Sequence, residues 1–191
     1  MIVIKPKELT AWMFPEDAEA GKDAFLSHWD HPQETWVRAY AFTMRELADA
    51  IVTANKIAPQ HLYIDRSQCE DANQLVLVRE VIAAGVETTI GTSPAGEAFI
   101  AHTKAYVAAD GSCWEGSCNF SESGWHQVNT AFEFLCPEWR DVMVAQFEAD
   151  VQYAWSRERA YQLMAKPPSS FKPVSVAKEW SVGDSTEWSS K

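Results

Sequence analysis

Two kinds of segment alternate between residues 35 and 90. β-branched and aromatic residues favour strands, whereas apolar residues three or four positions apart favour helices. Because strand–helix–strand units place neighbouring strands parallel, the pattern predicts an α/β fold. By these criteria, strands are predicted at 35–41, 61–65 and 86–90, and helices at 44–55 and 73–84.

The second half of the chain predicts antiparallel strands and one long helix. Residues 100–110 and the run around Trp114 flank Asp110-Gly111, a dipeptide typical of hairpin turns. A further strand is predicted at 129–135, and an amphipathic helix follows at about 138–164. The predicted fold class is therefore α/β, with a mixed, mostly parallel β-sheet flanked by helices.

The composition predicts one folded domain with two flanking segments. We assign residues 35–166 to the domain and residues 1–34 to an N-terminal segment that packs on it. From residue 167 onward, proline, serine, lysine and isolated tryptophans replace the periodic apolar pattern. Such a composition cannot form a core, so residues 167–191 are predicted to be a disordered tail.

The charge of the chain limits the partners it can bind. A formal net charge of −11 repels polyanions, and no block of Lys or Arg supplies a general DNA-binding surface. The four cysteines and five histidines show no paired zinc spacing, so neither a metal nor a cofactor is predicted. The N-terminus lacks a signal-peptide core, and no apolar run approaches the roughly 18 residues that span a bilayer. We therefore expect a cytoplasmic protein without membrane contact, in which any phosphate chemistry is local.

Two short segments carry residues suited to chemistry on a phosphodiester. His102 and Lys104 are two positions apart, so on a strand they face the same side. A hairpin can return Ser117 and Asn119 beside them. The imidazole can attack phosphorus, while Lys104 and Asn119 stabilise charge on the non-bridging oxygens.

This pattern resembles the motif of the phospholipase D superfamily, which runs His-x-Lys, four residues, Asp, six residues, then Gly-Ser/Gly-x-Asn. The separation of 17 positions between His102 and Asn119 equals that of the motif, and Gly116 and Ser117 fall on their expected places. The resemblance covers about residues 35–160. Further segments look like the nuclease-like members of the superfamily: Ile64-Asp-Arg-Ser-Gln68, Ala84-Gly85-Val86, Gly91-Thr-Ser93 and Asn119-Phe-Ser-Glu-Ser-Gly-Trp125.

The resemblance implies a metal-independent phosphodiesterase that works through a covalent phosphohistidine on His102. The family's chemistry uses two histidines, one as the nucleophile and one that protonates the leaving oxygen. This chain carries one such motif, so a homodimer with one composite site is expected. The substrate is expected to be nucleic acid rather than lipid, which makes the chain a candidate endonuclease.

Two positions depart from the family's pattern. The motif's Asp position is Ala109, and Asp110 is the candidate substitute, because a shift of one residue turns its side chain towards His102. In related nucleases a Glu two residues after an Asn orients the nucleophile. Here that position is Ala131, so Glu133 becomes the candidate orienter. An exposed strand carboxylate is the alternative interpretation of Glu133.

Three further residues are candidate substrate contacts, and two rival functions stay open. Ser67 and Gln68 follow a predicted strand, where open α/β sheets place ligands, and His126 lies close behind the motif. The first rival function is a catalytically silent binding or assembly module, which Ala109 and Ala131 favour. The second is a phospholipase.

Overall fold

The computed structural model describes residues 5–93, 95 and 100–151, which build one seven-stranded sheet with helices on both faces. A short 3₁₀ helix at Arg66–Glu70 follows the third strand. In chain order the strands and α-helices are β1 (Leu9–Phe14), α1 (Ala18–Ser27), β2 (Thr35–Ala39), α2 (Arg45–Ala54), β3 (Gln60–Asp65), α3 (Ala72–Ala83), β4 (Glu87–Gly91), β5 (Lys104–Ala108), β6 (Ser112–Gly116), α4 (Glu122–Trp125), β7 (Asn129–Leu135) and α5 (Pro137–Val151).

The sheet is mixed, with its parallel part at one edge. Its strand order is β1-β7-β6-β5-β2-β3-β4. β2, β3 and β4 run parallel, as the alternation of strands and helices predicted. The four other pairings are antiparallel, because β5 returns beside β2 and the N-terminal β1 joins β7 at the opposite edge. The predicted α/β class and mixed sheet are confirmed, but among the described residues parallel pairings are the minority rather than the majority.

The predicted strands and helices are present, but one strand begins later than predicted. The strand predicted at 100–110 begins only at Lys104, so His102 lies on irregular backbone in front of β5. Gly111 has a φ of +92°, the left-handed conformation that the predicted hairpin turn requires. The helix predicted at 138–164 is described from Pro137 to Val151, and its remainder lies outside the described residues, as does the predicted tail.

The N-terminal part of the chain contributes to both the sheet and the core. β1 pairs with β7 along its whole length, from Leu9 opposite Phe134 to Phe14 opposite Asn129. Phe25 of α1 is fully buried and stacks on another aromatic ring of the core, with the ring centroids 4.9 Å apart. None of the described helices is both long and apolar enough to cross a membrane.

The two faces of the sheet are covered unequally. The helices α1 to α4 pack on one face, where they form the main core with the strands. α5 packs on the other face, around Val107 and Met143. Leu9, Met13 and Phe132 of the edge strands β1 and β7 alternate away from the main core and are 60%, 55% and 43% exposed. These three side chains form an apolar surface beside α5, here called the open strip.

Candidate active site

Lys104 begins β5 and is buried although it can carry a positive charge. It pairs with Gly116 of β6, and only 3% of its surface is exposed. Its Nζ donates a hydrogen bond to the His102 carbonyl oxygen at 2.7 Å and lies 5.2 Å from the centre of the Tyr40 ring. Burial lowers the pKa of Lys104 to about 8, because no carboxylate of the described residues offsets the desolvation of the ammonium. A bound anion would raise this pKa again and stabilise the ammonium.

His102 precedes β5 and presents an exposed imidazole. Its ring centroid lies 4.6 Å from that of Tyr40, and the two ring planes make an angle of 60°. Desolvation and the nearby ammonium of Lys104 lower the pKa of His102, and the carboxylate of Asp65 opposes them. The net direction favours the neutral imidazole, which is the form that acts as a nucleophile.

Gly116 ends β6 and Ser117 follows it, and both make close backbone contacts to β7. A Cβ atom on Gly116 would lie 2.3 Å from the Thr130 carbonyl oxygen, so the approach of the two strands requires glycine. The Ser117 hydroxyl accepts a hydrogen bond from the Thr130 amide at 3.0 Å and donates one to the Asn129 Oδ1 at 3.0 Å. The hydroxyl therefore fastens β6 to β7 next to Lys104.

Asn119 lies in the loop between β6 and α4. A Cβ atom on Gly124 would lie 2.2 Å from the Asn119 carbonyl oxygen, so this glycine lets the loop close on α4. Ser121 caps α4 by accepting a hydrogen bond from the Gly124 amide at 3.1 Å. The side-chain Oδ1 of Asn119 is buried and has no hydrogen-bond partner among the described residues. Such an unpaired acceptor costs about 1–3 kcal/mol, which a hydrogen-bond donor from outside the described residues would relieve.

His102, Lys104 and Ser117 share the wall of one cavity of about 760 Å³. The rest of its wall is mostly apolar and includes two residues of the open strip, Leu9 and Phe132. The structure therefore brings three of the predicted site residues together where an apolar groove meets the strand ends. The other residues of the wall are Pro6, Glu115, Gly116, Thr130, Phe134 and Trp139.

Asp110 does not lie beside His102. It sits in the hairpin turn after β5, whereas His102 precedes Lys104 at the other end of that strand. The strand alone separates the two ends by about 13 Å, at about 3.3 Å per residue. The Asp110 carboxylate accepts a hydrogen bond from the Ser112 amide at 2.8 Å. The prediction that the Asp110 side chain points towards His102 is thus corrected. The strand ends at Ala108, before Asp110, and the Asp110 carboxylate stabilises the hairpin turn.

Glu133 faces His28 and not the candidate nucleophile. In the sheet register Glu133 pairs with Trp114, whereas Ala131 pairs with Gly116 at the level of the site. The Oε1 of Glu133 lies 3.4 Å from the Nε2 of His28. The assignment of Glu133 as the orienter is corrected for this reason: its strand position is two residues too far along β7.

Ser67 and Gln68 lie in the 3₁₀ helix after β3 and reach the site through other side chains. Ser67 donates to the Asp65 carboxylate from its amide at 2.8 Å and from its hydroxyl at 2.6 Å. Gln68 donates from Nε2 to the Tyr40 hydroxyl at 2.8 Å. His126 is exposed at the C-terminal end of α4. Contact of these three residues with substrate stays a prediction.

Sequence reasoning missed two residues that hold the site, Tyr40 and Asp65. Tyr40 follows β2 directly, and its ring lies next to both His102 and Lys104. Asp65 ends β3, is fully buried and accepts a hydrogen bond from the Ala101 amide at 2.5 Å. Both lie at the C-terminal ends of parallel strands. That position is the signal that could have found them, since open α/β sheets place ligands there.

Cysteine chemistry and metal binding have little support in the part of the chain that the structure describes. Cys118, between Ser117 and Asn119, is buried, and burial raises its pKa to about 12, which disfavours the reactive thiolate. Within 5–93, 95 and 100–151, no group of three or more His, Cys, Asp and Glu side chains is arranged to hold a metal ion.

Solved structures with similar backbones identify the fold. The phospholipase D family member Nuc from Salmonella typhimurium matches with a TM-score of 0.69 and 16% identity, over 79% of this chain and 97% of that chain. NucT from Helicobacter pylori matches with a TM-score of 0.68 and 14% identity, over 77% of this chain and 97% of that chain. The fold is that of the phospholipase D family.

A more distant likeness extends to a phosphatidylserine synthase from Haemophilus influenzae Rd KW20. Its TM-score is 0.56 at 9% identity, over 80% of this chain and 41% of that chain. No family model matches the sequence, and no curated protein matches it either. The likeness to known proteins therefore concerns the fold alone.

Proposed function

We propose that this chain is a phosphodiesterase of the phospholipase D type, with His102 as its nucleophile. One observation carries the proposal: an exposed imidazole that favours its neutral form lies beside a buried ammonium that no described carboxylate neutralises. A substrate with a negative charge and an electrophilic phosphorus suits both groups. Lys104 attracts it electrostatically, and His102 attacks it.

The proposed reaction has two displacement steps. A nitrogen of His102 bonds to phosphorus as the bond to the leaving oxygen breaks, and a second imidazole donates a proton to that oxygen. Water then attacks the phosphohistidine, gives a proton to the second imidazole and releases His102 with a phosphomonoester. Lys104 and the side-chain amide of Asn119 stabilise charge on the non-bridging oxygens in both steps. Neither step calls for a metal.

The second imidazole is proposed to come from a second copy of the chain. The sequence carries one His-x-Lys motif of this kind, so one copy supplies half of the chemistry. The open strip supports this partner, because Leu9 and Phe132 expose apolar surface on the wall of the cavity that His102 also lines. A self-complementary, twofold contact along that strip would face the two copies of His102 towards each other.

A short or single-stranded nucleic acid is the proposed substrate, and the chain is a proposed endonuclease. The support is the likeness of the motif segments to nuclease-like members of the superfamily. This chain also spans 97% of Nuc and of NucT but only 41% of phosphatidylserine synthase. The net charge of −11 disfavours tight, sequence-independent binding to long duplexes.

A catalytically silent binding module is the second candidate. Its support is specific: Ala131, and not a glutamate, lies opposite Gly116 at the level of the site. A site without its usual orienting carboxylate can bind a phosphodiester and leave it intact. The two candidates differ in whether His102 turns substrate over.

The test is cleavage of bis(p-nitrophenyl) phosphate and of single- and double-stranded DNA in excess EDTA. The wild type is compared with His102→Ala and with His31→Ala, which removes an exposed histidine outside the proposed machinery. We expect metal-independent cleavage by the wild type and by His31→Ala, and loss of cleavage in His102→Ala. Absence of cleavage by the wild type would favour the binding module, and equal cleavage by His102→Ala would reject His102 as the nucleophile.

A further inference from the structure

We propose that Asp65 is the positioning residue of His102, holding the backbone immediately before the imidazole and placing a negative charge near the ring. The proposal rests on the function proposed above, and it names the group that takes the place of the missing orienting glutamate. Asp65 touches neither the cavity wall nor the reacting atoms, so it would act through His102 and not on the substrate.

The two carboxylate oxygens of Asp65 bind different parts of the chain: one binds Ser67, and the other binds the backbone next to His102. Asp65 is 0% exposed, and its Oδ1 accepts hydrogen bonds from the amide and the hydroxyl of Ser67. Its Oδ2 accepts from the Ala101 amide at 2.5 Å. Ala101 directly precedes His102 and lies outside the strands, where sheet hydrogen bonds do not fix the backbone. The buried carboxylate therefore accepts the backbone hydrogen bond that a neighbouring strand would accept within a sheet.

Three groups from three elements face the His102 ring. Lys104 of β5 carries the positive charge that lowers the pKa of His102, and Asp65 at the end of β3 carries the negative charge that raises it. The ring of Tyr40, after β2, is uncharged and is held in place through its hydroxyl by Gln68. Asp65 therefore opposes, without reversing, the lowering of the His102 pKa by desolvation and by Lys104.

The proposed two-histidine reaction makes this charge important. One copy of His102 has to be neutral to attack phosphorus, and the other has to be protonated to assist the leaving oxygen. Asp65→Asn keeps the size of the side chain and removes the charge. We expect kcat to fall by about 10- to 100-fold with little change in KM, because the nucleophile is misplaced while the anion still meets Lys104. The alkaline limb of the pH–rate profile should move to lower pH, since the acid form of His102 is lost earlier.

Asp71→Asn is the matched control. Asp71 caps α3 by accepting hydrogen bonds from the Asn73 and Gln74 amides, as Asp65 caps the 3₁₀ helix through Ser67. Both substitutions remove a capping carboxylate from the same stretch of chain, but only Asp65 contributes to the charge around His102. We therefore expect Asp71→Asn to lose stability and to keep the wild-type pH profile and kcat.

The deciding experiment is an NMR titration of the histidine side chains, which does not depend on activity. His102→Ala assigns the His102 signal among the five histidines. We expect His102 to titrate at lower pH in Asp65→Asn than in the wild type, and at the wild-type pH in Asp71→Asn. Unchanged titration in Asp65→Asn would overturn the proposal. An inactive wild type with the expected displacement would reject the phosphodiesterase function but support the positioning of the ring by Asp65.

A second measurement covers the case in which Asp65→Asn does not fold. In the wild-type protein the Ala101 amide should be protected from hydrogen exchange, because its proton is bound by a buried carboxylate. Ser67→Ala removes one of the bonds that anchor Asp65 and should weaken that protection. An Ala101 amide that exchanges at the rate of an unstructured peptide would contradict the proposal directly.

Discussion

Replacing Lys104 with methionine should stabilise the protein while abolishing its activity. Methionine keeps the apolar stem and removes the ammonium. A pKa of about 8 in place of 10.5 means that burial of the charged form costs up to about 3 kcal/mol at neutral pH. Loss of the hydrogen bond to the His102 carbonyl offsets about 1 kcal/mol of this gain. Lys104→Met should therefore raise the free energy of unfolding by about 2 kcal/mol, or the melting temperature by about 4–8 °C.

The pH dependence of the stability difference distinguishes removal of a buried charge from a simple gain in packing. Because the folded-state pKa of Lys104 is lowered, its cost is fully present below about pH 8 and fades as the pH rises towards 10.5. Urea unfolding at pH 7 and at pH 9.5 should therefore show a smaller gap between Lys104→Met and the wild type at the higher pH.

Lys22→Met is the control for the loss of a lysine. Lys22 lies within 3.1 Å of Glu46 and 2.9 Å of Glu122, and these partners raise its pKa. Removing it should give no stabilisation. The reasoning about Lys104 would be refuted by a Lys104→Met protein that is less stable than the wild type at pH 7, or by a gap that is the same at both pH values.

Two further substitutions test the corrected and the proposed parts of the site. Glu133→Gln should leave turnover unchanged, because Glu133 faces His28; a large drop in kcat would restore it as the orienter. Burial lowers the pKa of His28 and Glu133 opposes this, so the variant should lose stability as the pH falls below about 6.5, measured by thermal unfolding at pH 5 and pH 8. Phe132→Asp places a charge on the open strip and should yield monomers with at least about tenfold lower activity, measured by light scattering and phosphodiester cleavage. A fully active monomer would exclude the composite site.

The helices and parallel strands could be predicted because their signal is local. In α2 the apolar residues at helical spacing, Leu47, Ala48, Ile51 and Ala54, are the buried ones. The order of the strands could not be predicted as well from the sequence, because β1 pairs with β7, more than a hundred residues away in the chain. Pairing over that distance depends on the whole fold and leaves no periodic trace in the sequence. The antiparallel majority of the sheet follows from such pairings.

The residue spacing of the motif predicted which residues lie close together, but the sequence did not reveal where strands end or in which register they pair. His102, Lys104 and Ser117, which the motif spacing groups together, line one cavity. The assignments of Asp110 and Glu133 counted residues along ideal strands, but β5 ends at Ala108 and the β6–β7 register sets Ala131, not Glu133, opposite Gly116. Where a strand stops and how it pairs are tertiary properties, so alternation could not supply them.

Three features of this end of the sheet are unfavourable in the isolated chain. Lys104 is a buried cation without a described counter-charge, the Oδ1 of Asn119 is a buried acceptor without a described partner, and the open strip leaves apolar surface in water. The first two alone cost on the order of several kcal/mol, a large part of the stability of a typical domain. A single event relieves the first and the third, if a second copy covers the strip while a phosphodiester meets Lys104; the Oδ1 of Asn119 needs a hydrogen-bond donor, which a phosphodiester anion does not carry. Phosphodiester affinity and dimer affinity should therefore rise together, and measured independence of the two would show that strip and site serve different partners.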